Sequence, residues 1–167
     1  MPELRKTTKS YAGRQVDIEL LQHVSEMLAK QKVEPDLVSP KIVSGIEKAV
    51  QRYAKLLLTH IGTVKTDRSI GNTMLRDIGA GMVSNISELD NLYSVANANA
   101  MDALMLDDGD DAFGDIPDDE RIVRTNLIDM ELRYDPLTGG RVYIHVFIET
   151  ASGDGFTFVV PVPAGLN

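Results

Sequence analysis

The last third of the chain alternates, and no other feature restricts the fold as tightly. Ile128, Met130, Leu132 and Tyr134 are interleaved with Asp129, Glu131 and Arg133; Asp135-Pro136 and Gly139-Gly140 then mark a turn; Val142, Ile144, Val146 and Ile148 alternate again. A period of two sets every second side chain on one face of a strand, so the pattern predicts a hairpin whose first strand spans 124–134. A second glycine-rich turn, SGDG at 152–155, leads to Phe156, Phe158, Val160 and Val162, which extends the hairpin to a three-stranded antiparallel meander with one apolar face. Three strands alone are marginal in water, so that face needs helices against it. Pro161 and Pro163 share parity, so both missing N–H donors fall on one side of the final strand, which is an edge there.

The helices come earlier. Residues 1–15 carry Arg5, Lys6, Lys9 and Arg14 and little apolar content, and read as a basic arm. Ile18, Leu21, Val24 and Leu28 recur at steps of three and four, predicting a helix from Val16 to about Lys32. A connector with two prolines follows to Pro40. Ser39-Pro40 has the chemistry of a helix start, predicting a second helix to about Leu58. Its apolar side is Ile42, Ile46, Ala49, Val50, Tyr53 and Leu57; its polar side is Ser44, Lys48, Gln51, Arg52 and Lys55. The Lys48, Arg52, Lys55 stripe reads as a solvated face or as a dock for an acidic partner. Thr73 to Ile78 makes a short helical piece ended by Gly79 to Gly81. Ser87 and Asp90 resemble a capping box opening a helix from Glu88 to about Leu106, with Leu89, Leu92, Val95, Ala96, Ala103 and Leu106 expected inside. Between Asp102 and Glu120 stand nine carboxylates and no basic residue. Repulsion at that density predicts an exposed acidic loop over 107–118. The fold class is therefore α+β, with N-terminal helices packed on a C-terminal antiparallel sheet of three or more strands. Residues 1–40 form an arm and helix, and 41–167 form one domain.

Composition excludes several functions. The chain has 167 residues and a formal net charge of -8, against the local cationic excess that nucleic acid requires. It has no cysteine, which removes disulfides and thiolate metal sites. The start, MPELRKTTKS, lacks the apolar core of a signal peptide, and no apolar run approaches the roughly 18 residues of a membrane span. The expectation is a protein folded in cytoplasm, with neither membrane nor nucleic acid as partner.

Chemistry-bearing motifs are sparse. His23, His60 and His145 have no ligand-like spacing, so no metal is expected. DDGDDAFGD matches no frame of a calcium loop with oxygen ligands at 1, 3 and 5, glycine at 6 and glutamate at 12, although a calcium-responsive module stays a competing reading. A glycan hydrolase needs two carboxylates across a cleft, and nothing selects a pair. Ser69 in RSIGN lacks the glycines of a nucleophile elbow, and IGTVKTDRSIG lacks the ending of a phosphate loop. No cofactor is expected.

The remaining puzzle is the junction LLLTHIGTVKTDRSIG at 56–71. Thr59, Gly62, Asp67 and Gly71, preceded by LLL and followed by a short helix, resemble the T-x-x-G-x-x-x-x-[DP]-x-[FI]-G region of the small baseplate wedge proteins, or sheath initiators, of contractile phage tails. Members of that family continue with an amphipathic helix, a Glu-Pro-Arg-Ile motif and an antiparallel sheet. Here the motif slot is Asp119-Glu120-Arg121-Ile122, where Asp119 replaces the glutamate and Glu120 the proline; Ile70 stands in the usual aromatic's place. The resemblance covers roughly residues 42–162. It implies a structural, non-enzymatic component of a virion tail baseplate, assembled in host cytoplasm in several symmetric copies. Its partners would be other baseplate wedge proteins and the tail sheath protein, engaged by the motif arginine and by strand exchange at the sheet. A baseplate-borne cell-wall glycan hydrolase is the alternative. An arginine after an acidic loop can fork onto a partner's carboxylates or helix carbonyls, or pair with one of its own carboxylates. The four junction residues read as a structural turn, with the glycines permitting bends and Asp67 bonding nearby N–H groups.

Overall fold

The computed structural model describes residues 17–18, 21–22, 32–33, 42–83, 85–108, 116–135 and 139–164. The basic arm, His23, Ser39-Pro40, the 136–138 turn and the acidic segment 109–115 lie outside them. The architecture is α+β: helices first, then a three-stranded antiparallel sheet of β5 (Ile122–Asp135), β6 (Gly139–Thr150) and β7 (Gly155–Ala164), in spatial order β5-β6-β7.

The helix expected from Val16 to Lys32 is not formed where the chain is described. Asp17–Ile18 (β1) pairs with Ile42–Val43 (β4), and Leu21–Gln22 (β2) with Lys32–Val33 (β3), both antiparallel. Apolar residues three and four apart fit a helix, but β-branched Ile42 and Val43 offer an extended partner, and pairing overrides local periodicity.

The next helix, α1 (Ile46–Leu58), consequently begins later than Ser39-Pro40 suggests. Gly45 stands at φ 64°, outside helical space, and its carbonyl accepts the first helical bond, from the Ala49 N–H at 3.0 Å. Ala49, Val50, Tyr53, Ala54 and Leu57 are buried, as an amphipathic pattern requires, but so is Gln51, expected outside. Two further helices follow, α2 (Met74–Gly79) and α3 (Ile86–Asp108). The cap of α3 is Asn85, whose Oδ1 accepts from the Glu88 N–H at 2.9 Å, two residues upstream of the expected Ser87. Over its 23 residues, about 34 Å, α3 buries Leu89, Tyr93, Ala96, Ala100 and Leu104. Val95 and Leu106, expected inside, are 61% and 77% exposed.

The sheet face carries the core. Val142, Ile144, Val146 and Ile148 on β6 and Phe158, Val160 and Val162 on β7 are all buried, each side chain contributing about 1.5–3 kcal/mol relative to exposure. Tyr53 meets Phe158 edge to face, with ring centroids 5.9 Å apart. A polar knot joins three elements: Asn97 Oδ1 accepts from the Tyr53 hydroxyl at 2.6 Å and the Thr125 hydroxyl at 2.9 Å, with the Tyr93 hydroxyl 3.2 Å from that of Tyr53. Burial, reinforced by Tyr93, pushes the Tyr53 phenol well above its ordinary value, so it stays a neutral donor.

Strand β5 is less regular. Its register with β6 shifts between Ile122 and Arg124 and again between Leu127 and Asp129. Leu127 pairs with buried Val146, but after the second irregularity Met130 pairs with buried Ile144. The phase flips by one residue, so Thr125 and Leu127 share the core-side register before the bulge and Met130 and Leu132 after it. Ile128, expected on the apolar face, falls at the shift and is 56% exposed.

Candidate functional site

Three regions hold the residues that the sequence singles out. The first is the junction between α1 and α2, which closes into a loop whose ends meet. The Asn72 N–H donates to the Thr59 carbonyl at 2.9 Å and the Ile61 N–H to the Asn72 carbonyl at 3.0 Å. A Cβ on Gly71, at φ 109°, would stand 2.6 Å from the Thr59 carbonyl oxygen, so only glycine fits. The Thr59 hydroxyl donates to the Lys55 carbonyl at 2.6 Å. Gly62, at φ 83°, turns the chain in open space. Asp67 Oδ1 accepts from both the Ser69 hydroxyl (2.6 Å) and N–H (2.8 Å), which holds its carboxyl below the usual range. Sequence reasoning passed over Asn72. Buried there, it donates through Nδ2 to the Leu57 carbonyl and accepts through Oδ1 from the Met74 N–H, both at 2.9 Å, finishing one helix and starting the next. Its signal was an asparagine immediately before a short helix.

The second region is Asp119 to Ile122. Glu120 is buried and fully engaged: Oε1 accepts from the Gly45 N–H at 3.2 Å and Oε2 from Lys48 Nζ at 2.7 Å. A carboxylate at the amino end of α1 is favoured by the helix dipole. The carboxylate of Asp119 also crowds this end, since a Cβ on Gly45 would lie 2.9 Å from its Oδ2. Ile122 is buried in the core. Arg121 spreads its guanidinium over Asp118 Oδ1 (3.2 Å) and the Ile116 carbonyl (3.0 Å), and its side chain remains 43% exposed. Of the four motif-slot residues, Glu120 and Ile122 thus face inward, and the exposed guanidinium is that of Arg121.

The basic stripe of α1 also finds partners inside the molecule. Lys48 takes Glu120, just after the acidic segment, and Arg52 takes Asp108 at 2.9 Å, just before it. Both ends of the acidic segment are therefore fastened to one helix.

The third region is the pair of sheet edges. A proline cannot donate, so the antiparallel pairs Tyr143↔Pro161 and Arg141↔Pro163 must be non-hydrogen-bonded ones, and Tyr143 and Arg141 direct their main-chain groups toward β5. Glu131 and Arg133, paired with them, therefore bond β6. The alternate residues, Met130 and Leu132, direct their N–H and C=O groups away from the sheet. The Met130 N–H confirms this geometry by donating to the Asp129 carboxylate at 2.8 Å. Among the described residues no strand pairs with the outer side of β5. On the far side, β7 has prolines at two outward positions, and α2 lies beside it, with Gly79 near the Pro163 carbonyl.

His60 donates from Nδ1 to the Ile61 carbonyl at 2.7 Å, and His145 lies on the outward face of β6 opposite Asp129. Among the described residues no cluster of three or more His, Asp or Glu could hold an ion, and no helix is long and apolar enough to cross a membrane. Compared with protein-family models, with curated proteins and with solved structures, the chain finds no match.

Proposed function

We propose that the protein is a structural component of a contractile-tail baseplate that offers the outer edge of β5 to a strand of the tail sheath protein. The observation that carries this reading is the set of outward main-chain groups along β5. They come with exposed apolar side chains, Ile128 at 56% and Leu132 at 59%. Main-chain bonds to an added strand supply affinity, and alternate side chains fix its register. The order of the junction turn, α3, the Asp119 to Ile122 slot and the sheet supports the same reading through its resemblance to sheath initiators. Arg121 is the group placed to reach a wedge partner, since its planar fork can exchange Asp118 for a carboxylate or helix carbonyls on another chain. Several symmetric copies would nucleate sheath assembly, and the work is assembly rather than catalysis. A glycan hydrolase would need two carboxylates across a cleft, one of them a general acid with a raised pKa.

Parity gives the test. Leu132→Pro deletes an outward donor and leaves the β6 pairing alone, whereas Glu131→Pro deletes a donor that bonds β6. Leu132→Pro is expected to melt close to the parent while losing capture of the sheath protein in co-expression pull-downs. Glu131→Pro loses stability. In the same assay Arg121→Ala keeps the sheath contact and loses the wedge proteins. Parental sheath capture by Leu132→Pro would overturn strand addition.

A further inference from the structure

Outside the core face of α3, Val95, Asn99 and Leu106 are exposed and Leu92 and Ala103 are half-buried. Leu92, Val95, Asn99, Ala103 and Leu106 recur at steps of three and four, a second stripe beside the one that faces the core. Its lower half faces the junction loop across an open groove of about 500 Å³. Ile61, Ile70, Ala103 and Leu106 give the groove apolar walls, and Leu106 is 77% exposed. Among the described residues, the ionisable groups that line it are two carboxylates, Asp67 from the loop and Asp102 from α3. The volume falls within the roughly 300–1,000 Å³ typical of ligand-sized clefts.

Charge decides among occupants. With two anionic groups and, among the described residues, no cation lining the groove, an acidic or phosphorylated segment would be repelled, and a neutral apolar one would leave both carboxylates without a counter-charge. The Ser69 bonds lower the Asp67 pKa and so favour its charged form. We infer that the groove between the junction loop and the carboxyl half of α3 docks a segment of a partner protein that sets an apolar side chain beside a lysine or arginine. The apolar group fills the space between Ile61 and Leu106, and the cation reaches Asp67 or Asp102. This site lies apart from the β5 edge, and the inference does not depend on strand addition there.

The test is an amide NMR titration of the full-length protein with a short synthetic peptide in which two leucines are flanked by lysines. Two comparators replace leucine by serine or lysine by glutamate. Saturable shifts are expected at Ile61, Ile70 and from Asn99 to Leu106, with neither comparator binding comparably. Leu106→Gln should weaken binding about tenfold through lost apolar contact, and Asp102→Asn about fivefold through lost charge. Both positions are exposed, so spectra elsewhere should match the parent and report an intact fold. Equal binding of the serine comparator, or shifts spread over the acidic surface, would reduce the effect to nonspecific charge and overturn the inference. So would groove shifts that appear on concentrating the protein alone, which would mark a second copy, or on deleting residues 1–15, which would mark the chain's own basic arm.

Discussion

The two outer strands of the sheet flank the same central strand, and they solve the edge problem differently. Strand β7 keeps one register from Gly155 to Ala164, buries Phe158, Val160 and Val162, and turns two proline nitrogens outward. Strand β5 shifts register twice, leaves Ile128 and Leu132 exposed, and covers one outward N–H with the neighbouring Asp129 carboxylate. One edge lacks donors permanently; the other covers one with a group that can let go. An edge blocked by proline is closed to any partner, whereas an edge guarded by an aspartate opens to a strand that competes successfully.

The largest expected effect separates the two strands by stability. Phe158→Ala removes a buried ring packed on Tyr53 and should cost about 3–5 kcal/mol in chemical denaturation. Leu132→Ala, on the exposed strand, should cost less than about 1 kcal/mol. Comparable losses would mean that β5 is covered in solution. A smaller effect concerns the guard. Asp129→Ala frees the Met130 N–H and should lower stability by about 0.5–1.5 kcal/mol while raising concentration-dependent self-association in sedimentation velocity. Unchanged association would deny Asp129 its protective role. The smallest effect is a titration on β5. The bond from Arg133 holds the exposed Glu131 carboxyl below its ordinary value, so what it contributes is present above the unfolded-state pKa and lost as pH falls through the folded one. Its NMR midpoint should lie below that of a free glutamate and return upward in Arg133→Met.

Legibility followed the physics of each element. Strands β6 and β7 were readable because burial on one face imposes strict alternation, and Pro161 and Pro163 announced an edge. The bulge at Ile128 was not readable, since one extra residue leaves composition and propensity intact and only shifts phase. On α3 the apolar residues run around two adjacent faces, and the sequence offered no reason to prefer Tyr93 and Ala100 over Val95 and Leu106 as the buried set. The contacts of Glu120 with Gly45 and Lys48 span about seventy residues of chain, beyond any local signal. The junction was legible through Gly62 and Gly71 as a bend and through Asp67 as a turn acceptor, while its central fastener, Asn72, looked like any polar residue before a helix.

The paired tethers on α1 have one more consequence. Because Arg52 holds Asp108 and Lys48 holds Glu120, the span between those anchors is closed independently of what it contains. Each doubling of such a span adds only about 0.6 kcal/mol of closure entropy. A peptide tag or a whole foreign module could therefore be spliced there as cargo, leaving helix and sheet in place.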